Sequence, residues 1–326
     1  MTKRTRRHTL QRGLAIALAP YLALAQDAKW PTRPVKLIVN FPPGTSPDLV
    51  GRAVATPLAQ ALGQPVVVDN RAGAGGLIGA DVAAKSVADG HTLLMASGST
   101  MAISPHLTAR MPFDIARDLV PVAAGARVEL FLVVRTDSPF KSFDALVAHA
   151  KAHPGQLSFG SPGNGTTPHL AAEMLKAQAG FFAVHVPYRG SAPALQDLLA
   201  GQVDFVLDPG IAFPHLRAGK LRLLAVGSTR RSSLFPETPT LAELGVNDFD
   251  AGTTHGFYAP AGTPAAVVER LNREINRLLA EPAVAQPIRA IGAEPSPMSP
   301  AEFAALLGRD SRRYAAIVRE RRIATD

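Results

Sequence analysis

Short apolar runs alternate along the chain with longer segments in which apolar residues recur every three or four positions. The runs at 35–40, 65–69 and 92–96 predict buried strands, and the segments at 47–62 and 77–88 predict helices. Strands and helices in this β-α-β-α-β order form parallel sheets that are covered by helices on both faces. The pattern therefore indicates an α/β fold.

A second alternation of the same kind begins near residue 129 and continues to about residue 227. One more strand follows it, and three helices then run to the end of the chain. Because these helices have no sheet of their own, we expect them to pack on the first alternation. The sequence thus predicts two lobes, residues 26–128 with 252–326 and residues 129–251, each with a mostly parallel sheet flanked by helices.

Two loops of similar design precede predicted helices, NFPPGTSPDL at 40–49 and FGSPGNGTTPHL at 159–170, with their Gly-Thr pairs 121 positions apart. In each, a glycine-rich turn leads to hydroxyl residues and a proline, which is typical of a helix start. Free N–H groups and the helix dipole favour an anion there, and a carboxylate would suit them. A well-capped loop without a ligand has the same pattern. We call residues 41–46 the first cradle and residues 160–167 the second cradle.

The first cradle has neighbours at the same edge of its predicted sheet. In parallel sheets, ligands bind outside the carboxyl ends of the strands. The loops at 41–46, 71–76 and 97–100 should therefore share one edge. This adds Thr45, Ser46 and Ser99 to the candidate ligand contacts.

Four further polar residues near the cradles have two interpretations each. His169, at the mouth of the second cradle, is either a packing or capping residue or a ligand contact. Asp48 and Asp208 follow predicted strands and either hold a cationic group of a ligand or tie down their own loops. Arg189 is either the counter-charge of a carboxylate or a surface arginine.

The N-terminus has the features of a secretory signal, which we predict to span residues 1–25. A basic start with five Lys and Arg residues precedes an apolar run at 13–24, and Ala-Leu-Ala at 23–25 fits a cleavage site. Export would place the protein in the periplasm. Removal of the signal lowers the net charge from +8 to +3, and such a balance does not call for a nucleic-acid partner.

Several kinds of chemistry are excluded or disfavoured. The chain has no cysteine, so disulfides, thiolate metal sites and cysteine nucleophiles are excluded. The GAGGLIG segment at 73–79 lacks the spacing of a dinucleotide loop, and no nucleophile elbow is present. His149 and His153 lie four apart, but a solvated helix face explains them better than a metal site. We therefore predict no cofactor, no metal site and no catalytic residues.

With these residues assembled, the chain resembles the Bug family, the periplasmic solute-binding receptors of tripartite tricarboxylate transporters. The resemblance covers nearly everything after the signal. It rests on PTRPVKLIVNFPPG at 31–44, VVVDNRAGAGGLIGADVAAKS at 66–86, LSFGSPGNGTTPHLAAE at 157–173, HVPYRGSAPALQDLLAGQVD at 185–204 and HLRAGKLRLLAV at 215–226.

The resemblance implies a two-lobed, periplasmic-binding-protein-like receptor that closes a hinged cleft on a small organic acid. By position it implies ligand contacts in and next to the two cradles, namely Phe41, Gly44, Asp48, Ser161, Asn164, Gly165, Thr166 and Thr167. It also implies two ligand-specific contacts farther from the cradles, Arg189 and Asp208. The chain departs from the family pattern at Thr45, where a second glycine is usual, and in PGIAF after Asp208.

The function expected from this resemblance is capture of a small carboxylate and its delivery, by a monomeric receptor, to the membrane subunits of a tripartite tricarboxylate-type transporter. Two alternatives stay open at this point. One is a sensor that presents its ligand to a membrane kinase. The other is a secreted hydrolase that uses Ser161 or Thr166 with His169 and an acid, which the missing nucleophile elbow disfavours.

Overall fold

The computed structural model describes residues 30–321 and residue 323, so the predicted signal peptide lies outside the described residues. The strands in this part of the chain are β1 (Val35–Val39), β2 (Val66–Asn70), β3 (Thr92–Ala96), β4 (Leu119–Val128), β5 (Phe131–Arg135), β6 (Ser158–Ser161), β7 (Val184–Pro187), β8 (Phe205–Asp208), β9 (Leu221–Val226), β10 (Thr253–Pro260) and β11 (Ala293–Pro295).

The helices are α1 (Ser46–Leu62), α2 (Leu77–Ala84), α3 (Gly98–Ala102), α4 (Ser104–Leu107), α5 (Ile115–Asp118), α6 (Phe143–Ala152), α7 (Thr167–Ala179), α8 (Ser191–Ala200), α9 (Phe213–Arg217), α10 (Ala265–Leu279), α11 (Pro282–Ala290) and α12 (Pro300–Arg321). A short 3₁₀ turn, Ala74–Gly76, precedes α2. Within the described residues, no helix combines the length and the apolar character needed to cross a membrane.

Two sheets form the two lobes, as the α/β prediction requires. One has six strands in the order β11-β4-β10-β3-β1-β2, and the other has five in the order β7-β6-β8-β5-β9. Most strands of each sheet run in the same direction, as expected, and the exceptions are β10 and β11 in the six-stranded sheet and β5 in the five-stranded sheet. β10 is antiparallel to β3 and β4, β11 is antiparallel to β4, and β5 is antiparallel to β8 and β9.

The antiparallel pairs follow from the way the chain crosses between the sheets. β4 carries the chain out of the six-stranded sheet and β10 brings it back, and Val128 pairs with Thr253 where both crossings occur. In the other sheet, β5 enters and β9 leaves, and Phe131 pairs with Val226 at the same end. An entering and a leaving strand that lie side by side must run in opposite directions.

The last three helices pack back on the six-stranded sheet, as expected from the sequence. α10 and α12 lie against β4, and α11 lies against α1. Asn272 on α10 fixes this arrangement, because its Nδ2 donates to the carbonyls of Val122 and Met298 at 2.8 and 2.9 Å. α12 also contacts α7 in the other lobe, so this helix bridges the lobes.

An ion-pair network ties the two crossing segments together and to α12. Asp250 accepts hydrogen bonds from Arg127, just before the first crossing, at 2.7 Å and from Arg313 on α12 at 3.0 Å. Arg313 and Tyr314 also donate to the carbonyl of Gly252 at 3.0 and 3.3 Å. The points at which the chain changes lobes are therefore fixed to one shared helix.

Candidate functional site

The three loops predicted to share one sheet edge do meet there, around the side chain of Asn40. Its Nδ2 donates to the carbonyl of Gly76 at 3.3 Å and to Thr100 Oγ1 at 2.9 Å, and its Oδ1 accepts the N–H of Ser97 at 3.1 Å. Asn40 is fully buried. One amide thus holds the carboxyl-end loops of β1, β2 and β3 together.

The two cradles are built on the same hydrogen-bond plan. In the first cradle, Thr45 Oγ1 donates to the carbonyl of Pro42 at 2.6 Å, and in the second cradle Thr166 Oγ1 donates to the carbonyl of Gly163 at 2.7 Å. Both threonines are helix N-caps, yet neither hydroxyl caps its helix. These hydroxyls close the loops instead.

The glycine at the turn of each cradle is also tied down in the same way. The N–H of Gly44 donates to Asp48 Oδ2 at 2.9 Å, and the N–H of Gly165 donates to His169 Nδ1 at 3.1 Å. Both glycines have positive φ, 79° and 73°, which residues with a side chain rarely adopt. Asp48 and His169 therefore occupy equivalent positions and brace the two turns.

The first turn of each helix supplies further donors. Helices leave their first N–H groups without an intrahelical acceptor, and Pro47 and Pro168 have no N–H. This leaves the N–H groups of Ser46 and Asp48 in α1 and of Thr167 and His169 in α7. Thr167 Oγ1 is buried and has no hydrogen-bond partner among the described residues.

A cavity of about 30 Å³ lies between the two helix starts. Its apolar lining comes from Phe41, Pro47, Val128, Leu130, Pro162, Pro168 and Pro209. Its polar lining comes from Thr45, Ser46, Ser97, Ser99, Thr166, Thr167, Ser191, Thr253 and His255. None of these described residues is an arginine, lysine or carboxylate. Burial lowers the pKa of His255 to about 3, so this side chain is neutral as well. The cleft therefore offers hydroxyl and N–H donors and helix termini without a full charge.

The structure brings six of the predicted contacts to this cavity, namely Phe41, Thr45, Ser46, Ser99, Thr166 and Thr167. The other eight predicted contacts do not line this cavity. They are Gly44, Asp48, Ser161, Asn164, Gly165, His169, Arg189 and Asp208, of which Ser161 and Asp208 line a smaller adjoining cavity of about 10 Å³. Asn164 and Arg189 are exposed at the rim, where Gly190 approaches Pro42 of the opposite lobe.

Asp48 has both carboxylate oxygens engaged within its own lobe. Besides the N–H of Gly44, they accept hydrogen bonds from Arg52 Nε at 3.0 Å and from Asn70 Nδ2 at 2.8 Å. The residue is 1% exposed. This geometry fits the loop-bracing alternative for Asp48.

Asp208 is likewise bound to its own loop. Its Oδ1 accepts the N–H groups of Gly210 and Ala212 at 2.7 and 2.8 Å. Burial raises the pKa of Asp208 to about 6, against the lowering effect of these N–H donors. The carboxyl group thus organises the segment after β8.

Ser161 pairs with a histidine other than the one considered for a hydrolase. Its Oγ lies 2.6 Å from His185 Nε2, and His185 stacks on His169 with ring centroids 4.0 Å apart. Burial lowers the pKa of both histidines, that of His185 to about 3. The two rings pack next to Phe159 in the core of the second lobe.

Sequence reasoning missed four polar residues of the cleft, Ser97, Ser191, Thr253 and His255. Thr253 and His255 start β10, and the run Thr-Thr-His at the predicted return crossing was the available signal. Thr253 Oγ1 is buried without a partner in the described structure. Among the described residues, no group of three or more His, Cys, Asp or Glu side chains is arranged to hold a metal ion.

The fold and the cleft define a two-lobed binding protein. Solved structures with the same fold include periplasmic binding protein BugD, which superposes with a TM-score of 0.86 at 30% identity and covers 91% of this chain and 100% of that one. Another is R. palustris Rpa4515 with adipate, with a TM-score of 0.88 at 35% identity, covering 90% of this chain and 99% of that one.

The chain belongs to the tripartite tricarboxylate transporter family of receptors, whose family model matches residues 50–323. The Bug resemblance is confirmed by BugT of Bordetella pertussis (strain Tohama I), which is 42% identical over 311 residues, or 94% of this chain and 95% of BugT. A structure of MatC from Rhodopseudomonas palustris with bound malate has a TM-score of 0.84 at 30% identity, covering 89% and 100% of the two chains. These relatives are receptors and binding proteins, not enzymes.

Proposed function

We propose that this protein is a periplasmic solute-binding protein that captures a small organic carboxylate between its two cradles and delivers it to the membrane subunits of a tripartite tricarboxylate-type transporter. The observation that carries the proposal is the pair of matching cradles, whose residues line one cavity from opposite lobes, with the unpaired Thr167 Oγ1 among them. Relatives with adipate and malate bound support a carboxylate as the ligand class.

Binding of an anion in a cleft without cations is energetically reasonable. A helix N-terminus stabilises a nearby anion by up to about 2 kcal/mol, and a charge-assisted hydrogen bond contributes about 1.5–3 kcal/mol. A micromolar complex needs about 8 kcal/mol net of ordering costs. Two helix termini and several hydroxyl and N–H donors reach that range without an ion pair.

Entry of such a ligand requires the lobes to separate. The cavity of about 30 Å³ has room for about one water molecule, which is smaller than any dicarboxylate. We assign residues 26–128 with 252–326 to one moving lobe and residues 129–251 to the other, with the hinge at the two crossings. Cleavage of a signal within residues 1–25 and action as a monomer complete the proposal.

The test is a thermal-shift screen followed by calorimetric titration, using malonate, succinate, malate, glutarate, adipate and citrate. A member of this panel at a hundred times its Kd should stabilise the protein by about 2.7 kcal/mol. The corresponding diamides or triamides serve as uncharged controls and should not. If none of the six acids raises the melting temperature, carboxylate capture is contradicted.

A further inference from the structure

His255 lies on the floor of the cleft, at the start of β10, and is 3% exposed. Both of its ring nitrogens have partners from the same lobe. Nδ1 accepts the backbone N–H of Gly98 at 3.2 Å, and Nε2 lies 2.9 Å from Ser46 Oγ. The ring therefore connects the start of α3 to the start of α1.

These contacts determine which nitrogen carries the proton. A ring nitrogen that accepts a hydrogen bond has no hydrogen, and in a neutral imidazole the proton then sits on the other nitrogen. Because Nδ1 accepts from Gly98, Nε2 must be the protonated nitrogen of His255. Burial lowers the pKa of His255 to about 3, so the ring stays neutral at ordinary pH and this tautomer persists.

The tautomer in turn determines the direction of the hydrogen bond with Ser46. Nε2–H donates, so Ser46 Oγ accepts, and the hydroxyl hydrogen of Ser46 has to point elsewhere. Among the described residues, His255 is the one hydrogen-bond partner of Ser46 Oγ. Ser46 lines the cavity, so its O–H is left to donate into the cleft, next to its own N–H.

The equivalent position in the second cradle lacks this arrangement. Thr167 is the counterpart of Ser46, and its Oγ1 has no partner among the described residues. That hydroxyl is free to donate or to accept. The two sides of the cleft therefore differ, because among the described residues a neighbour fixes Ser46 as a donor and none fixes Thr167.

We propose that His255 is a positioning residue that holds Ser46 as an obligate hydrogen-bond donor and so makes the first cradle selective for a carboxylate over an amide. This inference rests on the proposed function. A carboxylate presents two acceptor oxygens and satisfies both donors of Ser46. An amide places its NH₂ group against one of those donors, and this mismatch leaves buried donors unpaired.

The first experiment needs no ligand. Nitrogen NMR of wild-type protein with isotope-labelled histidine reports the protonation of each ring nitrogen, and the His255→Gln variant identifies the His255 signals by their absence. We expect an unprotonated Nδ1 and a protonated Nε2. A proton on Nδ1 would overturn the inference and leave the proposed function intact.

The second experiment measures calorimetric Kd values for the acid of the six-member panel with the lowest Kd and for its full amide. Ser46→Ala and His255→Leu should each weaken acid binding about tenfold and reduce the preference for acid over amide. The double variant should be no weaker than Ser46→Ala alone, since His255 acts through Ser46. His255→Gln should retain the preference, because its amide N–H can replace Nε2–H.

The outcomes separate the two proposals. Wild-type protein that binds none of the six acids contradicts both. Wild-type protein that binds an acid, with Ser46→Ala and His255→Leu effects that add in the double variant, contradicts only the role of His255. Thermal unfolding of each ligand-free variant checks that the variant is folded. If His255→Leu is not folded, His255→Gln provides the comparison.

Discussion

At the residue scale, the two adjacent threonines of the second cradle have different tasks. Thr166 Oγ1 donates to the carbonyl of Gly163, whereas Thr167 Oγ1 lines the cavity, buried and without a partner among the described residues. An unpaired buried hydroxyl costs stability, and ligand binding can recover that cost. Removal of the Thr167 hydroxyl should therefore affect binding directly.

We expect Thr167→Val to weaken binding of a panel acid about tenfold in calorimetric titration, because valine keeps the shape and removes the donor. Stability of the ligand-free protein should be unchanged or slightly higher. Thr136→Val is the matched control, since Thr136 Oγ1 is also buried without a partner in the part of the chain that the structure describes but lies outside the cleft lining. Equal losses of affinity in both variants would remove Thr167 from the site.

The sequence could predict where the hydroxyl residues cluster but not how each is used. Gly-Thr before Ser-Pro or Thr-Pro announces a helix start, and both helices begin where the pattern indicates. Whether a threonine closes its own loop or faces a ligand depends on a rotamer, which no local pattern encodes. His255 was missed because its partners, Ser46 and Gly98, are distant in sequence.

At the scale of elements, the strands and helices with strong periodicity match their predictions to within a few residues. β4 was missed, although it is the longest strand described. Its sequence, LVPVAAGARV, combines a proline, a glycine and three alanines, which are uncommon in strands. Pairing with β10 and β11 imposes the extended conformation. A conformation that depends on pairing with strands distant in sequence cannot be predicted from a short stretch of the chain.

The sequence predicts a loop where α3 begins. The contact of α3 with β10 explains the position of this helix. Gly98 begins α3, and a Cβ added there would lie 2.0 Å from Thr253 Oγ1 and 2.6 Å from the carbonyl of Thr254. Backbone therefore packs directly on backbone at the edge of the cleft. Ser97 caps this short helix by accepting the N–H of Ser99.

Gly98→Ala should accordingly lower the free energy of unfolding by about 1–3 kcal/mol in urea titration, because the added methyl group overpacks this contact. Gly308→Ala, in α12, is the contrasting substitution. Its added Cβ meets only Arg312 Nη1 at 3.5 Å. Relief of the glycine penalty should raise stability by about 0.5–1 kcal/mol. A neutral Gly98→Ala variant would show that α3 does not pack this closely.

At the scale of the whole molecule, the network around Asp250 and the bridging helix α12 limit how the lobes can move. Arg127 and Arg313 hold both crossings at one place. In the proposed lobe motion, these contacts would place the hinge at the two crossings.

The absence of cysteine allows that motion to be measured directly. Val87 and Phe182 are 75% and 54% exposed and lie on different lobes, so Val87→Cys with Phe182→Cys gives two unique labelling sites. Spin-label distances should be broadly distributed without ligand and should narrow when the tightest panel acid is added. A distribution that does not respond to saturating acid would contradict closure about the hinge.

The division of the donors between two lobes has a further consequence for release. If each cradle supplied about half of a binding free energy of 8 kcal/mol, either lobe alone would hold the anion only at millimolar strength. A membrane partner that separates the two lobes would therefore release the bound anion mechanically. No proton, nucleotide or chemical modification of the receptor would be required for the hand-over.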